Sequence, residues 1–94
     1  MNQLGRKIKE IRERKKLLLR QVAAHLECDT AMVSKVEHGE RFLGKEQIEK
    51  LAKYFDVESD SLLTLWYADK VISLVGNDPS GKKGLRKALS ELND

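Results

Sequence analysis

Leu19-Arg-Gln-Val-Ala-Ala-His-Leu-Glu-Cys-Asp-Thr-Ala-Met-Val-Ser-Lys-Val-Glu-His-Gly39 is the stretch that decides how this chain folds. Val22, Ala23 and Leu26 recur at helical spacing and form one apolar stripe; Val33 and Val36 form a second. Ala23 is small where two helices must cross closely. Asp29 stands at a helix N-cap position, where its carboxylate can accept orphan amide protons of the next turn. Gly39 stands where a helix should stop. The spacing predicts two short helices, about Arg20 to Leu26 and Thr30 to His38, joined by a tight turn.

Two helices crossing steeply over a turn of that length make a helix-turn-helix unit, here residues 19–39, whose second helix enters the DNA major groove. The charge distribution agrees with such a ligand. Residues 1–45 carry eleven Lys/Arg against six Asp/Glu, whereas residues 46–94 carry seven against nine. A local positive field beside a groove-sized helix suits a phosphate backbone, although surface lysines and arginines also serve simply to solvate helices.

Ninety-four residues allow one domain with a single small core, which oligomerisation would help to stabilise. One proline and six glycines favour long helices with few breaks. Cys28 is the single cysteine, so no intramolecular disulfide forms and a reducing cytoplasm is the expected setting. A small buried hydrophobe describes it better than a redox sensor. No charged start followed by an apolar run marks a signal peptide. Leu62 to Val75 is interrupted by Asp69 and Lys70 and is too short to span a bilayer. His25 and His38 have no ligand-spaced companions, so neither a metal nor another cofactor is expected. Gly76 to Lys83 approaches a phosphate-binding loop but lacks the following Ser or Thr and a preceding strand, and reads as a linker through Gly81. No catalytic constellation assembles, so the chain reads as a non-enzyme.

Helical period dominates throughout, giving an all-α fold. A first helix is predicted from Gln3 to Lys15, with Leu4, Ile8 and Ile11 inward. A fourth runs from Lys45 to Phe55, with Ile48, Leu51, Ala52 and Phe55 inward. A fifth follows Ser59 as N-cap and ends near Val75. It carries two stripes, Leu62, Leu65, Trp66 and Ile72 on one side and Leu63, Tyr67, Val71 and Leu74 on another. Two apolar sides need two things to pack against: the core and, in a chain this short, a second copy. That assigns residues 1–58 to a DNA-binding core and 59–94 to dimerisation, with Leu63, Trp66, Tyr67, Val71 and Leu74 at the seam. Leu85, Ala88, Leu89 and Leu92 mark a last amphipathic segment, expected to be helical only if it docks.

On Leu17 through Ala23, on Val33-Ser-Lys-Val-Glu-His-Gly39 and on Ile48-Glu-Lys-Leu-Ala-Lys-Tyr-Phe-Asp-Val57, the chain resembles the Cro/lambda-repressor class of bacterial helix-turn-helix regulators, also called the xenobiotic-response-element-like family. The likeness covers about residues 4–63, and Ser-Lys-Val-Glu-His-Gly is its most specific part. It implies a five-helix lambda-repressor-like bundle, here with an extended C-terminal helical tail, that dimerises and binds operator DNA. The tail looks like the extra dimerising helices of some members. The resemblance also implies base readers at Thr30, Ala31 and Lys35, with Ser34 within reach of base or backbone, and an ion pair between Arg12 and Glu37. The chain departs from the pattern at Leu18 and Leu19, where the family has a small cap and Gln, at Glu27 in place of Gly, and at Phe42-Leu43 in place of a proline-containing loop.

Each site has a plainer alternative. Lys35 can bond guanine, bond a phosphate, or simply be solvated. Thr30 and Ala31 can meet a thymine methyl, or only satisfy helix geometry. Arg12 shares a face with Ile8 and Ile11, so it needs a partner there. Arg20, Arg41 and Lys45 are candidate phosphate clamps. With the resemblance, these residues predict a cytoplasmic homodimer that binds a palindromic double-stranded operator as a repressor or autoregulator; within the family a restriction–modification controller, an antitoxin-type regulator and a phage repressor all stay open. The alternative is a protein-interaction module of the same fold with weak or no DNA binding.

Overall fold

The computed structural model describes residues 2–93. Among them are six helices and no strand: α1 (Gln3–Arg14), α2 (Leu19–Leu26), α3 (Thr30–Glu37), α4 (Lys45–Phe55), α5 (Ser59–Val75) and α6 (Pro79–Leu92). α1 packs on α3 and α5, α2 on α3 and α4, and α4 on α5; α6 touches only α5 to any extent. One core draws Leu4, Ile8 and Ile11 from α1, Val22, Ala23 and Leu26 from α2, Val33 and Val36 from α3, and Ile48, Leu51, Ala52 and Phe55 from α4. Leu43 of the α3–α4 loop joins them. The core does not stop at residue 58: Leu62 and Trp66 from the first half of α5 complete it.

Helix ends follow local chemistry. The Asn2 side chain accepts from the Gly5 amide at 2.8 Å and starts α1. Asp29 accepts from the Met32 amide at 2.7 Å and starts α3. α2 and α4 begin without a side-chain N-cap; instead Gln21 and Gln47 reach back to the amides of Leu18 and Gly44, at 2.7 and 3.0 Å. Glu27 takes the left-handed conformation (φ 58°) that a glycine accepts more cheaply, as do Lys16 and Asp56. The amides of Glu27 and Cys28 thereby close onto Ala24 and Ala23 carbonyls, and the chain turns into α3.

Three expectations need correction. Glu58, not Ser59, is the N-cap of α5, and Ser59 is already helical. The breaker cluster is shorter than the sequence implied: Asp78 caps α6 through the Ser80 amide (2.9 Å), and Pro79 occupies the first turn, where its missing N–H costs nothing. Trp66 does not lie at an outer seam. It is 8% exposed, and its indole Nε1 donates to the Leu43 carbonyl at 2.8 Å, which fixes it inside its own chain. Leu63 and Val71 are half-buried, while Tyr67 and Leu74 are exposed. α6 is helical although none of its residues is buried, and Leu89 and Leu92 remain exposed.

Gly5 sets how closely α1 approaches α3. A Cβ there would lie 2.5 Å from the carbonyl oxygens of both Val36 and Glu37. Gly84 in α6 has open space around it. Gly5→Ala should therefore destabilise the chain by about 1–3 kcal/mol through overpacking, whereas Gly84→Ala should stabilise it by about 0.5–1 kcal/mol. Urea unfolding of the two variants measures both signs; a neutral Gly5→Ala would contradict the tight crossing.

Candidate nucleic-acid interface

The helical repeat puts Ala31 and Lys35 on the side of α3 opposite Val33, Val36 and Glu37, with Ser34 beside them and Thr30, in the first turn, in line with Glu37 two turns on. Thr30, Ala31 and Lys35 are exposed and Ser34 is half-buried. Three of the four are short, so the α3 backbone can come close to a surface laid against it. Lys35 supplies the one long cationic arm. The first turn of α3 contains no acidic residue, and the Asp29 cap uses its carboxylate on the Met32 amide. The Asp29 carboxylate therefore sits at the positive end of the helix dipole and offsets it.

What holds α3 in that posture lies behind it. Glu37, on the inner side, is 2% exposed. Arg12 of α1 meets its carboxylate through Nε to Oε2 at 2.7 Å and Nη2 to Oε1 at 3.2 Å, a bidentate pair. The remaining Nη1 donates to the Leu17 carbonyl at 3.0 Å, which also anchors the α1–α2 connection. The hydrogen bond to Glu37 pushes the Arg12 guanidinium above its ordinary pKa, against the opposing effect of burial. Arg12 is thus charged at every working pH, and Glu37 never lacks its counter-charge.

The three cationic clamp candidates are exposed on three different elements: Arg20 in the first turn of α2, Arg41 in the α3–α4 loop and Lys45 at the start of α4. None of them forms an ion pair among the described residues. Gln21 escaped the sequence reading. Its Oε1 is engaged by the Leu18 amide, and no hydrogen bond among the described residues uses its NH2 group, which is thus oriented and free to donate at the start of α2. The signal was a capping-box Gln three residues after the cap, masked because the cap is Leu rather than Ser or Thr.

The other titratable side chains take structural places. The His25 ring stacks on Tyr54, centroids 4.1 Å apart, and ties α2 to α4. His38 Nδ1 lies 2.7 Å from the Ser34 carbonyl at the end of α3. Burial, with the nearby Asp29 charge, pushes the Cys28 thiol above its ordinary pKa, which makes it a poor nucleophile at neutral pH. Among the described residues no group of His, Cys, Asp or Glu is placed to hold a metal ion, and no helix is long and apolar enough to cross a membrane.

Removing one partner of the Arg12–Glu37 pair leaves a buried charge alone. Glu37→Gln and Arg12→Met should each cost about 3–5 kcal/mol. The double variant should cost less than the sum of the singles; strict additivity in a denaturation cycle would show that the two groups do not interact.

A family model described as a helix-turn-helix domain matches residues 3–66. No curated protein and no solved structure matches the chain. The matched span runs from the first residue of α1 to Trp66, the last apolar core residue of α5.

Proposed function

On the premise that this chain belongs to the helix-turn-helix domain family, a DNA-binding class of regulator, we propose that it is a sequence-specific repressor or autoregulator that binds a palindromic operator as a homodimer. The observation that carries this reading is the outward face of α3, where three short side chains and a single exposed lysine stand, with Arg20, Arg41 and Lys45 exposed nearby in sequence and forming no ion pair among the described residues. Thr30, Ala31, Ser34 and Lys35 would meet base edges in the major groove, and Arg20, Arg41 and Lys45 would meet phosphates. Helices α1 to α5 would form a lambda-repressor-like five-helix arrangement, with α5 and α6 holding two copies together. Restriction–modification controllers and antitoxin-type regulators are the classes within this reading.

Pairing has support of its own. Beyond Asp69 no residue of α5 or α6 is buried, and Ile72, Leu74, Leu89 and Leu92 expose large apolar side chains in that hairpin. A second copy would cover them, with Tyr67, Val71 and Leu74 at the seam and Leu63 at its edge; Trp66, inside its own core, has no part in it.

Fluorescence anisotropy with duplex DNA tests the reading. Three phosphate contacts per protomer give six per pair, so affinity should fall about 10³-fold between 50 and 200 mM salt. Absence of binding at low salt would overturn the proposal in favour of a protein-interaction module. Lys35→Ala should weaken binding to a duplex selected from a random pool by about 1–3 kcal/mol, with little effect on random duplex and none on unfolding. Equal losses on both duplexes would make Lys35 a phosphate contact instead.

A further inference from the structure

The turn of α5 from Trp66 to Lys70 divides the helix in two. Before it, α5 is part of the core; after it, no side chain of the helix is buried. Within that turn, three residues on one face grip two separate parts of the reading head. Trp66 donates to the Leu43 carbonyl in the loop after α3. The Lys70 ammonium lies over the Trp66 ring, 4.2 Å from its centroid, and 5.4 Å from that of Phe42 in the same loop. Asp69 reaches the other way. Its carboxylate, 4% exposed, accepts the Gln3 amide at 3.1 Å and the Leu4 amide at 2.7 Å, across 65 residues or more of sequence, at the start of α1.

A buried carboxylate is costly unless it is fully bonded, and here the partners are two consecutive amides at a helix N-terminus, where the dipole favours its charge. The two bonds also do what an apolar contact cannot. They fix direction, so α1 cannot slide or rotate against α5 without breaking one of them. α1 in turn lies on α3, through Gly5 at the Val36 and Glu37 carbonyls and through Arg12 at the Glu37 carboxylate. A continuous, directional linkage therefore joins the unpartnered α5–α6 hairpin to the recognition helix, and Asp69 is the joint.

We propose that Asp69 is a positioning residue that sets the angle between the α5–α6 hairpin and the reading head, and so sets the half-site spacing that a pair of chains accepts on DNA. Asp69 touches no DNA in this scheme. The inference rests on the paired DNA-binding reading above, and the test separates the two.

The experiment uses the full chain and a palindromic duplex recovered from a random pool. Its half-sites are kept and their separation is changed in single base-pair steps; a duplex with one half-site serves as reference. Wild type should prefer one separation sharply. Asp69→Ala should bind the single half-site within about twofold of wild type, because Asp69 is remote from the base readers. It should lose about tenfold or more on the preferred full site, and the remaining separations should become nearly equivalent. Asp69→Asn, which keeps one acceptor, should fall between the two. Circular dichroism establishes that the variants are folded, and Asp69→Asn carries the test if Asp69→Ala is not. A folded variant that keeps the wild-type spacing preference, or one that loses the same factor on half-site and full site, would overturn the assignment. So would an unfolded Asp69→Asn, which would make the residue a requirement of the fold alone. A wild-type chain indifferent to spacing would instead remove the paired reading itself.

Discussion

The buried Glu37 carboxylate and the Arg12 fork that neutralises it are the contact on which the rest depends. Glu37 is on the inward side of α3, where a lone charge would be intolerable. With Arg12 in place, the same residue becomes a directional lock. Two parallel N–H bonds to one carboxylate define an orientation, and a third bond from the same guanidinium holds the Leu17 carbonyl in the α1–α2 connection. Gly5 adds a steric condition: the α1 backbone must come close enough that no Cβ fits. Together they press α1 against the back of α3 and leave its front bare.

That arrangement separates what is held from what is offered. The inner face of α3 is fixed by Val33, Val36 and Glu37; the outer face carries side chains that contribute little to the fold. Substitution on the outer face should therefore change stability little. The same separation recurs along α5, whose first half is core and whose second half is surface. The molecule is a packed helical core with the apolar α5–α6 hairpin projecting from it, consistent with its elongated extents of 41 × 25 × 21 Å.

Much of this was legible in the sequence, for reasons that can be located. α1 and α4 repeat apolar residues at a clean helical period, and α4 matches its expected bounds. Asp29 and Gly39 bracket α3 through chemistry that depends only on neighbours. The failures share a different physics. The expectation of Trp66 at the dimer seam fails because α5 has two apolar stripes, and periodicity cannot say which one faces inward or that a backbone carbonyl at Leu43 accepts from the indole. Asp69 looked like an interruption in an apolar run because its partners are main-chain amides, which have no sequence signature. Pro79 and Gly81 looked like breakers because the same residues that end a helix also suit its first turn. Among the candidate site residues, exposure on α3 followed from the helical repeat, whereas the oriented Gln21 amide depended on a cap bond that Leu18 concealed.

The central claim is that the bare face of α3 enters the major groove twice, once from each of two chains. Methylation of guanine N7 blocks that groove and no other surface, so interference by N7 methylation on a duplex selected from a random pool tests it most directly. The account predicts two clusters of interfering guanines on one face of the duplex, centred about 10 base pairs apart. A single cluster, or binding indifferent to N7 methylation, would contradict it.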